Sequence, residues 1–185
     1  HLFRNDIPLK DKKTTTEVSV HHLWFSDKDY DRLGMRIKWN PAIKTTQDKE
    51  GLLKALLEDK IAIITTDHAP HTLEEKQQPY FQYMSGAPMV QHSLNCMLEF
   101  YKKGLISLEK IVEKMCHNPA ILYSMTKRGF IREGYYADLT LVDLHSQWIV
   151  AKDNLLYTCG WSSLEGTTFQ TEIKHTFVNG NLVYD

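Results

Sequence analysis

Lys60-Ile61-Ala62-Ile63-Ile64-Thr65-Thr66 runs straight into Asp67-His68-Ala69-Pro70-His71. The first part is short, β-branched and almost wholly apolar, the make-up of a parallel strand covered on both faces. Polar residues begin abruptly at Asp67. Upstream, from Asp48, the residues Leu52, Leu53, Leu56 and Leu57 recur at helical spacing, which predicts an amphipathic helix leading into that strand. Helix followed by buried strand is the repeating unit of an α/β barrel or a doubly wound sheet. In α/β barrels the chemistry gathers at the carboxyl ends of the strands, where Asp67 stands.

Working outward, residues 10–13 are polar and charged, and residues 14–23 (TTTEVSVHHL) are rich in β-branched side chains, which predicts a loop and then a strand. Ser26 can cap a short helix carrying Tyr30 and Leu33, which Gly34 closes. Asn40-Pro41 marks an irregular stretch, and Gln77-Gln78-Pro79 and Ser85-Gly86-Ala87-Pro88 are loop-like. Two helices follow. The first presents Val90, Leu94, Met97, Leu98 and Tyr101 on one face and stops at Gly104; the second is capped by Ser107 and presents Leu108, Ile111, Val112 and Met115. Asn118-Pro119-Ala120 opens a third, short helix.

After Gly129 the pattern changes to short strands: Phe130-Ile131 and residues 139–142, 148–150, 173–178 and 182–184. Asn179-Gly180 is a hairpin signal. The chain therefore reads as two parts, α/β over residues 1–128 and a small β region over residues 129–185. It contains no internal repeat and no low-complexity tract.

Bulk properties exclude some partners. A formal net charge of −1 gives no general attraction to nucleic acid or to anionic membranes, so function must come from a local site. No apolar run approaches the ~18 residues of a membrane span. Cys96, Cys116 and Cys159 are unpatterned, which fits reduced thiols, and with no signal-peptide layout the cytoplasm is the expected compartment. The start His1-Leu2-Phe3-Arg4 lacks methionine, so an upstream segment of the same polypeptide is expected, cleaved or otherwise absent from the sequence.

A carboxylate at a strand end can ligate a metal and carry a proton to and from an attacking water. Asp67 fits that role, with His68 and His71 as further donors nearby. It also fits the plainer one of capping the next helix, with both histidines at the surface. His21-His22 would point to opposite faces of a strand and so are not read as a shared metal site. His92, His117, His145 and His175 are isolated in sequence and are read as structural.

The wider string favours the first role. Ile64-Thr65-Thr66-Asp67-His68-Ala69-Pro70-His71-Thr72, followed by Leu73-Glu74-Glu75-Lys76, resembles the signature of dihydroorotases in the amidohydrolase superfamily. Glu17-Val18-Ser19-Val20-His21-His22-Leu23 resembles that family's E-V-x-P-H-H-L segment, with Val20 in place of proline. Lys38-Trp39-Asn40-Pro41-Ala42-Ile43-Lys44-Thr45 resembles its K-x-N-P-P-L-R segment. Asn118-Pro119-Ala120, Gly129-Phe130-Ile131 and Gly134-Tyr135-Tyr136-Ala137-Asp138-Leu139 resemble the superfamily's closing pattern, where the chain leaves a barrel for a β-sandwich.

The resemblance implies the carboxy-terminal part of a (β/α)₈ TIM-type barrel plus part of a small β-sandwich. It implies a zinc-dependent cyclic amide hydrolase that interconverts N-carbamoyl-L-aspartate and L-dihydroorotate in pyrimidine biosynthesis, with two zinc ions in the intact enzyme. By the same resemblance Asp67 binds the more exposed zinc, takes a proton from the attacking hydroxide and returns it to the leaving amide nitrogen. Asn40 and His71 match substrate contacts to the ring and the carboxylate. Ala87 and Pro88 match a loop whose backbone reaches the ring, although Met89-Val90-Gln91-His92 stands where relatives often have a glycine-containing stretch.

The first-strand H-x-H pair, the carboxylated lysine and two further histidines have no match here, and His1 falls a few residues past the place for a strand-six ligand. The chain alone is therefore expected to be inactive and to need its amino-terminal part; a homodimer is compatible with the resemblance. Rival readings are a dihydropyrimidinase- or allantoinase-like hydrolase, against which the Ala-Pro-His string counts, and a non-catalytic scaffold.

Overall fold

Two short parallel strands carry the frame in the computed structural model, which describes residues 6–185. Strand β1 (Glu17–Ser19) pairs with β2 (Ile63–Thr65) in register from Glu17 opposite Ile63 to Ser19 opposite Thr65. The buried parallel strand read from residues 60–66 is thus present, in shorter form. Because the pair is parallel, both carboxyl ends face the same side, and the Ser19 and Thr65 hydroxyls meet there at 3.2 Å. The expectation for His1 lies outside the described residues.

The strand expected over residues 14–23 is corrected. It ends at Ser19, and the chain turns at once into α1 (Val20–Trp24). Burial of Val20, His21 and Leu23 in the core outweighs the β propensity of the segment. His21 and His22 therefore lie on a helix, and the opposite-faces argument for them does not apply.

Helix α2 (Tyr30–Leu33) follows a turn capped by Ser26 and closes on Gly34 at φ 51°, as the sequence predicts. Helix α3 (Thr46–Leu57) starts with a Thr45–Asp48 capping box; it buries Leu56, but Leu57 faces solvent. After β2 come α4 (Leu73–Lys76) and α5 (Ser93–Lys102). Val90 precedes α5 in a 3-10 turn and is exposed, so it is not part of the buried face.

The two helices expected after Gly104 are one. Helix α6 (Leu108–Val112) passes through a π-helical turn over Glu113–His117 into α7 (Asn118–Leu122) without leaving helical space. Pro119 supplies the reason: it lacks an N–H and crowds the carbonyl four residues back, so the ladder shifts by one residue before it.

Strands β3 (Leu139–Asp143), β6 (Glu172–Val178) and β7 (Asn181–Tyr184) form an antiparallel sheet in the order β3-β6-β7. Strands β4 (Trp148–Ile149) and β5 (Thr168–Phe169) form a separate antiparallel pair. Phe130-Ile131 is not a strand: Phe130 stacks on His117 at 4.3 Å and Ile131 is exposed. Residues from both parts of the chain share one core, with Val18, Trp39, Ile64 and Leu98 packed in the same cluster as Val150, Trp161 and Phe169.

Candidate active site

Asp67 follows β2 by two residues, exposed at the side shared by both strand ends. Its φ is 44°, a left-handed conformation that Asp tolerates better than most side chains but that still costs energy. It caps no helix. The N-cap of α4 is Thr72, whose hydroxyl accepts from the Glu75 N–H while the Glu75 carboxylate accepts from the Thr72 N–H.

The other sequence-selected residues lie on three segments tied to this one. After Asp67, His68 forms a parallel bridge with Ala87, and the Ala69 N–H donates to the Ala87 carbonyl at 3.3 Å. The Gly86 N–H donates to the Lys38 carbonyl at 2.8 Å, which joins the Ala87-Pro88 segment to the one carrying Asn40. Asn40 is exposed, before a cis bond to Pro41, whose carbonyl meets His22 Nε2 at 3.0 Å. His71 is half-buried, with Nδ1 3.8 Å from the Glu75 carboxylate. Its carbonyl accepts from Trp161 Nε1–H at 2.8 Å.

The histidine next to Asp67 is committed elsewhere. His68 Nδ1 accepts from the Met89 and Val90 N–H groups at 3.0 and 3.3 Å, and burial lowers its pKa. That ring nitrogen is therefore an acceptor, which places the proton of the neutral ring on Nε2. Among the described residues, no three His, Cys, Asp or Glu side chains converge on a point that could hold a metal ion. Zinc in enzymes takes three or more protein ligands, so these residues do not by themselves make such a site. Asp67 is at most one donor to it.

Beneath the site His21 is fully buried and stacked on Trp39, with ring centroids 4.0 Å apart. Burial, aided by His22 and opposed by the Thr66 backbone, lowers its pKa to about 3. The Thr66 contact lacks good hydrogen-bond geometry, since neither ring nitrogen has a well-formed partner among the described residues. His21 is thus a neutral, structural imidazole.

Two groups that hold the site were not picked from sequence. Trp161 comes from 90 positions beyond the His71 carbonyl to which it donates, and no local pattern marks it. Tyr157 accepts from the Gln91 N–H at 3.0 Å and meets His92 Nδ1 at 3.3 Å, bracing the segment that departs from the family pattern.

A model of the amidohydrolase family matches residues 8–183. The chain is 35% identical over 169 residues to the dihydroorotase of Pyrococcus furiosus, covering 91% of this chain and 39% of that protein. It is 33% identical over 171 residues to the dihydroorotase of Halobacterium salinarum, covering 92% and 40%. Among solved structures, the L-hydantoinase (dihydropyrimidinase) of Arthrobacter aurescens superposes with a TM-score of 0.87 at 27% identity, over 92% of this chain and 39% of that one. The D-hydantoinase (dihydropyrimidinase) of a Thermus species shares the fold at 18% identity, with a TM-score of 0.85 and the same coverage. The chain spans about two-fifths of the length of these relatives.

Proposed function

The chain belongs to the amidohydrolase family, and within it we propose that the whole protein is a zinc-dependent dihydroorotase, interconverting N-carbamoyl-L-aspartate and L-dihydroorotate. One observation carries the reading. Asp67 stands at the strand end in a strained conformation, and the segments bearing Asn40, His71 and Ala87-Pro88 are hydrogen-bonded or bridged to it and to one another. Strain retained at such a position fits a working residue better than a spectator.

In this proposal the Asp67 carboxylate receives a proton from the attacking water and delivers it to the amide nitrogen as the ring C–N bond breaks. Protonation is needed because an amide nitrogen is a poor leaving group. Asp67, together with ligands from the rest of the protein, would hold zinc, which would make hydroxide available near neutral pH and polarise the carbonyl. His71 binds the substrate carboxylate, Asn40 the pyrimidine ring, and the Ala87-Pro88 backbone the ring edge. Residues 1–128 belong to a (β/α)₈ barrel and residues 129–185 to a β-sandwich, both completed by the remaining sequence. The setting we propose is cytoplasmic pyrimidine synthesis, and the chain alone is inactive.

The likeness to the Arthrobacter hydantoinase supports a second reading, a hydrolase of neutral cyclic amides. Assaying the full-length zinc-loaded protein on dihydroorotate, hydantoin and allantoin separates the two. Turnover of dihydroorotate at least about a hundredfold above the others is expected. Preference for hydantoin or allantoin sinks the proposal, and absence of both zinc and turnover supports a scaffold instead.

A further inference from the structure

Residues 77–86 connect α4 to Ala87, and two ammonium groups fix their path. Lys38 Nζ donates to the carbonyls of Tyr80 and Tyr83, each at 2.8 Å. Lys76 Nζ donates to those of Met84 and Gly86, at 3.0 and 2.8 Å. Four main-chain acceptors of one loop are therefore taken up by two side chains. Both cations also lie on aromatic faces: Lys38 is 4.2 Å from the Tyr83 ring centre and Lys76 is 5.8 Å from that of Trp161. Such contacts favour a cation most where water is excluded.

Lys76 is fully buried, and burial together with the Lys38 ammonium lowers its pKa to about 8. A lysine in that place costs stability compared with an apolar side chain. The cost makes sense if the loop carbonyls need a donor there. Each lysine is also rooted in a substrate segment. Lys38 stands two residues before Asn40, and its own carbonyl accepts the Gly86 N–H. Lys76 ends the helix whose cap, Thr72, directly follows His71. Gly86, held from both sides, directly precedes Ala87.

We infer that Lys38 and Lys76 are positioning residues: together they clamp loop 77–86 and so set Ala87-Pro88 against Asn40 and His71. The substrate part of this inference rests on the roles proposed above; the clamp itself does not.

The test uses the full-length protein with Lys76→Met, Lys38→Met and Lys38→Arg. In both Met variants the KM for dihydroorotate should rise about tenfold or more, with kcat within about threefold, because ring binding and not proton transfer is disturbed. Lys38→Arg keeps a cationic donor in a half-buried place and should hold KM near wild type. The double Met variant should be little worse than the worse single one, since both release the same loop. Independently of activity, chymotrypsin should cut after Tyr80, Phe81 or Tyr83 about tenfold faster in the Met variants, well below their melting temperatures.

Unchanged cleavage overturns the clamp. Faster cleavage with unchanged KM overturns the positioning role. A wild type that turns over no cyclic amide sinks the functional reading alone, and the cleavage rates still decide the clamp. If Lys76→Met does not fold, the two Lys38 variants carry the test.

Discussion

The loops at the carboxyl ends of β1 and β2 contrast with the β6–β7 hairpin. In the hairpin, every residue of β7 is exposed, and the turn is Asn179-Gly180 with φ of 53° and 80°, the left-handed pair that Asn-Gly favours. Its β6 arm pairs with β3, and its turn is held by Arg128, which donates to the Asn179 side chain, by Asp138, which accepts from the Asn179 N–H, and by the Ala137 carbonyl, which accepts from the Gly180 N–H. In the site loops the left-handed residue is Asp67, and Gly86 has no room for a Cβ beside Ala69. Main-chain bonds from Gly86 to Lys38 and from Ala69 to Ala87 act together with lysine-to-carbonyl bonds to fix the chain. The hairpin follows local rules. The site holds conformations that local rules disfavour, which requires the surrounding structure to enforce them.

Asp67 gives the largest effect with which to break that contrast. Asp67→Asn in the full-length protein keeps the shape and removes the proton carrier. Turnover of dihydroorotate should drop by ~10³-fold or more, about 4 kcal/mol in the barrier, while Gly180→Ala in the hairpin leaves turnover unchanged. Steady-state rates with zinc content measured on the same samples check this. Retained activity in Asp67→Asn would remove the residue from the mechanism.

Two glycines sharpen the contrast in stability. A Cβ on Gly86 would lie 2.6 Å from Ala69 Cβ and 2.7 Å from its carbonyl oxygen, on a backbone with φ 110°. A Cβ on Gly180 meets nothing within 4 Å, and only its φ of 80° opposes it. Gly86→Ala should therefore destabilise by ~3 kcal/mol, from strain plus overpacking, and Gly180→Ala by ~1 kcal/mol from strain alone. Urea midpoints of the two variants measure the gap. Equal losses would mean that the Gly86–Ala69 approach relaxes freely.

The same contrast explains how much was legible in the sequence. The Asn179-Gly180 turn, the Ser26 and Ser107 starts and the buried run into Asp67 are local signals, and they stand where the pattern places them, whereas the helix read from Asp48 starts two residues earlier, capped by Thr45. The break after Ser19 was hidden, because Val18, Val20 and Leu23 suit a strand or a helix and only the burial of His21 beside Trp39 decides. The π turn was hidden because Pro119 is read as a helix start when seen alone. At the site, the resemblance picked residues whose segments are bridged or hydrogen-bonded to one another. It did not mark Trp161, 90 positions from the His71 carbonyl it binds, nor Lys38 as a partner of loop carbonyls more than 40 residues on. Such pairings have no periodicity to read.

The smallest effect concerns His92, at the start of α5, where it packs against Trp148 and Phe169. Burial lowers its pKa to about 4, against an ordinary 6.5. Its Nε2 has no hydrogen-bond partner among the described residues. Between pH 6.5 and about 4 the unfolded chain binds this proton and the folded chain does not, so stability rises with pH across that window. The contribution is complete above pH 6.5 and is lost as the pH falls toward 4. From pH 7 to pH 5 the loss should be about 2 kcal/mol. His92→Phe removes the titrating group and the unpaired nitrogen, at the cost of the contact with Tyr157. That cost does not depend on pH in this range, so the slope of stability against pH isolates the imidazole. Urea titrations of full-length wild type and variant should show the variant curve flatter by about that amount. Parallel curves would mean that the buried ring accepts its proton without unfolding, through an opening that admits water to the packed side of α5.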